Sequence, residues 1–75
     1  MEARIENNSG LQLIIPKDGK APMLYLEWLS EQNILYFQEM VINDTAGIKQ
    51  GYFRIRLLAT REFYENAKEY INQNL

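Results

Sequence analysis

Apolar and polar residues alternate with a two-residue period in two places, Leu11 to Ile15 and Gly51 to Leu58, and the period becomes helical after Thr60. The first run ends at Pro16, which lacks a backbone donor. The second leads into a segment where Phe63, Ala67, Tyr70 and Ile71 form one stripe, with Arg61, Glu65, Lys68 and Glu69 largely outside it. Two half-buried strands and a C-terminal helix follow from this pattern. Thr60 suits the position ahead of the first helical turn, and Glu62 places negative charge where the helix dipole is positive. Pro16 to Pro22, with Asp18-Gly19 inside it, is turn chemistry. Residues 1–10 are polar and end in Asn7-Asn8-Ser9-Gly10, so they either fray or add a short edge strand over Ala3 to Glu6.

The middle of the chain admits two readings. Met23 to Leu29 and Ile34 to Ile42 are both dense in large apolar residues. One continuous helix would set Pro22 at its first position and Asn43 just past its end. Two strands joined at Ser30-Glu31-Gln32-Asn33 fit better with the abundance of Tyr, Trp, Phe, Val and Ile, and a helix would be apolar almost all round. Asn43 to Gly47 is then a polar reversal forming a long hairpin loop before the last strand. The expected fold is α+β, a four-stranded antiparallel sheet followed by one C-terminal helix packed on one face, in a single domain spanning 1–75 with no internal repeat.

Strand alternation sorts the side chains into two faces. Leu24, Leu26, Trp28, Leu35, Phe37, Val41, Phe53, Ile55 and Leu57 fall on the face that meets the helix. Tyr25, Glu27, Tyr36, Gln38, Met40, Tyr52, Arg54 and Arg56 fall on the other. Of these, Tyr25, Tyr36, Gln38, Tyr52, Arg54 and Arg56, together with Lys49, are the candidate binding residues. Exposed rings stack on unpaired bases and arginines hold phosphates. The same residue types are enriched at protein interfaces, and a solvated surface with Arg54 and Arg56 paired to Glu27 and Glu39 is the plainest reading of all.

Composition narrows the chemistry. The chain has no histidine and no cysteine, and its two serines lie in polar loop stretches, which leaves neither the commonest general base nor a thiolate. No metal or phosphate-binding motif appears, and the expectation is a non-enzyme without cofactor. Eight Lys and Arg against ten Asp and Glu give a net charge of −2, unlike a strongly basic nucleic-acid-binding domain. A chain of 75 residues builds a marginal core, which points to a homodimer. The absence of cysteine, signal peptide and apolar span points to a cytoplasmic protein without membrane contact.

The order of four strands and a helix, with Ile34 to Met40, then Asn43-Asp44-Thr45-Ala46-Gly47-Ile48-Lys49-Gln50-Gly51, a strand, and a helix bearing Phe63 and Ile71, resembles the single-stranded-DNA-binding domain of the transcriptional coactivator PC4. In outline it is also similar to the PUR repeat. The resemblance covers about residues 23–74 and implies a homodimer whose curved sheets bind unpaired DNA in transcription or replication. The alternative is a protein-interaction adaptor or inhibitor, such as a phage or mobile element encodes, with no nucleic-acid binding.

Overall fold

The computed structural model describes residues 2–75, and their side chains except at 43–45 and 48–50. Six elements follow one another: β1 (Arg4–Asn7), β2 (Leu11–Pro16), α1 (Ala21–Gln32), β3 (Tyr36–Thr45), β4 (Ile48–Leu57) and α2 (Arg61–Gln73). The strands form one antiparallel sheet in the order β1-β2-β4-β3. The fold is α+β with four antiparallel strands and a C-terminal helix against the sheet, as the sequence predicts. The strands, however, are not the predicted four. The short N-terminal edge strand forms, and the segment read as a second strand is the helix α1.

The helix wins over Met23 to Leu29 because the residues it buries, Ala21, Leu24, Tyr25, Trp28 and Leu29, recur at intervals of three and four. The strand reading followed Leu24, Leu26 and Trp28, but Leu26 is exposed. Pro22 sits in the first turn, where its missing donor costs nothing. Asn33 ends the helix in the left-handed conformation, its N–H donating to the Leu29 carbonyl at 2.9 Å. The continuous-helix reading is therefore correct at its start and wrong beyond Asn33.

The chain is two successive units of hairpin and helix, β1-β2-α1 and β3-β4-α2, joined where β2 pairs with β4. No repeat in the sequence announces this. The two hairpins differ in length, and β3 and β4 pair over ten residues each around a two-residue turn, Ala46-Gly47. Both turn residues have positive φ, 54° and 79°, the signature of the type I′ turn whose twist matches the flanking strands. The long hairpin loop expected at 43–47 is thus a tight reversal with residues 43–45 inside the strand.

Odd-numbered residues of β2 and β4 face the helices. Leu13, Ile15, Ile55 and Leu57 join Leu24, Tyr25, Trp28, Leu29, Tyr64, Ala67 and Ile71 in one core. Thr60 is the N-cap of α2 and Glu62 lies in its first turn, as predicted, although the Thr60 side chain makes no capping hydrogen bond. The helical stripe predicts Phe63 on the docked face, but Tyr64 is the buried neighbour. The Tyr64 hydroxyl enters the gap between β2 and β4 just past their last ladder pair. It accepts from the Leu57 N–H at 2.8 Å and lies within donating distance of the carbonyls of Leu11 (3.0 Å) and Leu57 (3.1 Å). One side chain thereby substitutes for a backbone rung. At the far side of the sheet the Asn72 carboxamide does likewise for β1, accepting from the Ala3 N–H and donating to the Ala3 carbonyl, both at 2.9 Å.

Candidate functional site

The predicted binding face does not exist as one surface. Tyr25 lies on α1 with 1% of its surface exposed, so it is a core residue. Tyr36 and Gln38 are cross-strand partners of Leu57 and Ile55, which puts them on the helix side of the sheet. Tyr52, Arg54 and Arg56 project from the opposite side. Lys49 pairs with Asp44 along the hairpin, and its side chain lies outside the described residues. Even residues of β3 face odd residues of β4 because their register numbers sum to an odd value, a relation that sequence alternation cannot reveal.

Tyr25 and Tyr36 still meet, edge to face with ring centres 5.8 Å apart. The Tyr25 hydroxyl is buried without a hydrogen-bond partner among the described residues, and burial, with the nearby Tyr36, raises its pKa far above the ordinary value of 10.0. In the unfolded chain this phenol ionises near pH 10, whereas in the folded chain it stays neutral. Stability is therefore complete below pH 10 and falls above it, by about 1.4 kcal/mol per pH unit until the folded group titrates. Replacing Tyr25 by Phe is expected to remove that alkaline slope and to raise stability at pH 7 by roughly 1 kcal/mol, since the orphaned hydroxyl carries a desolvation cost. Urea denaturation at pH 7 and pH 11 measures both; an unchanged slope would show the phenol to be solvated.

The side of the sheet without helices carries the row Arg4, Ile14, Arg54 and Glu39, one residue from each strand. Ile14 has no exposed surface although no helix covers it. Arginine stems lie readily along apolar surface, and Arg4 and Arg54 flank Ile14 in register. Arg54 Nη1 meets Glu39 Oε1 at 3.0 Å, while its Nε is buried with no partner among the described residues. Arg4 is paired to Glu6 at 2.9 Å. Arg56 is exposed, with Phe37 its cross-strand neighbour. Tyr52, partly buried, stands between Pro16 and Val41. A shallow groove of about 510 Å³ opens at this end, lined by Phe37, Gln38, Glu39, Arg54 and Arg56.

Sequence reasoning missed Phe37, having assigned it with Leu35 and Val41 to the core. Phe37 is 67% exposed and Leu35 74%, and Val41 is only partly buried. Neither helix reaches β3 well enough to cover it. Every β3 side chain from Tyr36 to Ile42 is exposed except that of Val41. The signal was present in the chain length, since two helices of 12 and 13 residues cannot roof four strands when one hairpin runs to ten residues a side.

Among the described residues no group of three or more carboxylates is placed to hold a metal ion, and no helix is long and apolar enough to cross a membrane. No family model, curated protein or solved structure matches the chain.

Proposed function

We propose that the chain is a small non-catalytic binding module that works as a pair of identical chains and engages a protein partner on the helix-free face of its sheet. The observation that carries this reading is Phe37, a large ring left in solvent beside the exposed guanidinium of Arg56 at the mouth of a groove. Aromatic rings and arginines are the residues that anchor protein interfaces. Arg54, held by Glu39, contributes a fixed rim and not a free charge. The partner this suits presents an apolar side chain flanked by carboxylates.

Affinity capture from the source cells with the wild-type chain and with Phe37→Ser/Arg56→Glu tests the reading. The expected result is a stoichiometric protein retained by the first and lost by the second; identical captures would refute it. A second reading, single-stranded nucleic acid, draws on the likeness to the PC4 domain and on Tyr52, Arg54, Arg56 and Phe37 sharing one face. It loses the stacking surface of Tyr25 and Tyr36. Titration of a labelled single-stranded oligonucleotide separates the two, because binding that weakens with salt and with Arg54→Ala/Arg56→Ala would transfer the site to nucleic acid.

A further inference from the structure

The hairpin geometry fixes which backbone groups of β3 are unpaired. Thr45 and Ile48 flank a two-residue turn, so they form a pair that exchanges both hydrogen bonds, and such pairs recur at every second residue toward Phe37 and Arg56. The Leu58 N–H donating to the Leu35 carbonyl at 2.9 Å continues the same phase. On the other side of β4, the Lys17 N–H donating to the Gly51 carbonyl at 3.1 Å confirms that odd residues of β4 turn toward β2. Tyr36, Gln38, Met40, Ile42 and Asp44 therefore point their N–H and C=O groups away from the sheet.

That edge lacks the strongest of the devices that keep an edge strand from pairing, and its charges are the two carboxylates Glu39 and Asp44. Between Tyr36 and Thr45 there is no proline and no lysine, and the register runs without a bulge. The opposite edge is different, for β1 has four residues and displays the ion pair of Arg4 and Glu6. The β3 edge is the longer and the less guarded of the two.

We infer that the β3 edge pairs antiparallel with the β3 edge of a second copy, about a two-fold axis at Met40, making one continuous eight-stranded sheet. This deepens the reading above, which takes the chain to act in pairs. A two-fold contact uses the same patch on both copies and closes on itself, leaving only the guarded β1 edges at the ends. The register follows from overlap and charge. Centring on Met40 pairs the whole outward edge, Tyr36 opposite Asp44 and Gln38 opposite Ile42, and sets Glu39 against Val41 of the other copy. Centring on Glu39 would oppose two carboxylates, which is unfavourable across a strand pair. The pairing brings the exposed Tyr36, Met40 and Ile42 of both copies together on the helix side. It also carries the turn of the second copy past Ile34, beside the shallow groove that Leu26, Leu29, Ile34 and Tyr36 line.

The native chain contains no cysteine, so a single introduced thiol reports the register directly. Residues in a hydrogen-bonded antiparallel pair stand about 5.5 Å apart at Cα, inside the range a disulfide spans. Met40→Cys is expected to give a covalent dimer under mild oxidation, and Ile42→Cys, whose opposite residue is Gln38, to give little. Equal yields from the two, or no dimer from Met40→Cys, would overturn the register. Sedimentation of the wild-type chain at micromolar concentration should give a dimer. Met40→Pro should give a monomer of unchanged circular dichroism, because it deletes only an outward donor and proline is tolerated on such an edge. A monomeric wild-type chain overturns the pairing. Failure of the partner-binding face is a separate result, read from capture by Phe37→Ser/Arg56→Glu, which leaves the outward backbone edge intact.

Discussion

Replacing Tyr64 by Phe is expected to lower stability by about 3 kcal/mol, far more than the loss of one hydroxyl on the surface of a helix. The ring would remain in place, packed with Ala67 and Ile71 against the sheet. What disappears is the acceptor of the Leu57 N–H and the single O–H donor that the Leu11 and Leu57 carbonyls share, all reached through one oxygen at 2.8 to 3.1 Å. Each buried backbone group left unsatisfied costs about 1 to 3 kcal/mol, and the space vacated by an oxygen between two strands is too narrow for them to close on each other without shifting α2. For a domain of this size the effect on thermal unfolding is a drop of roughly 15 °C. Calorimetry or urea titration of the single variant decides it. A loss below about 1 kcal/mol would mean that water takes over the rung.

Ile55→Ala is expected to cost about 3 to 4 kcal/mol, while Leu35→Ala changes the stability of the folded chain by less than about 0.5 kcal/mol. Strand alternation places both residues on the core face. Ile55 has no exposed surface and lies at the centre of the sheet, between Leu13 on β2 and Gln38 on β3, beneath the helices. Its truncation leaves a cavity walled by the central strands β2 and β4, which cannot collapse without breaking ladder hydrogen bonds. Leu35, by contrast, precedes β3 with most of its surface in solvent. Equal effects from the two substitutions would show that β3 is roofed after all.

The same contrast explains how far the chain could be read in advance. β2, β4 and α2 were legible because each carries a single clean period, with punctuation from Pro16 and Thr60. α1 was not, because Met23 and Leu26 stand on its exposed side and blur the stripe made by Ala21, Leu24, Tyr25, Trp28 and Leu29. Apolar residues outside the stripe made alternation look as good as a helical period. The candidate site suffered more. Arg54, Arg56 and Tyr52 were placed correctly on one face, since neighbours two apart within a strand share a side whatever the pairing. Tyr36 and Gln38 were placed against them by assuming that even residues of β3 meet even residues of β4, and the Ala46-Gly47 turn shifts that by one. Phe37 was hidden by the same error, and by the assumption that every large apolar residue in so short a chain is needed inside.

Asn72 grips both backbone groups of Ala3, so the last turn of α2 lies beside the start of β1. The order of the two units along the polypeptide is therefore not dictated by the packing. A circular permutant that starts at β3, runs through α2 and returns by a short linker into β1 would preserve every strand pairing, with its break at the exposed Gln32-Asn33 end of α1. Connectivity and architecture can be varied independently in this domain.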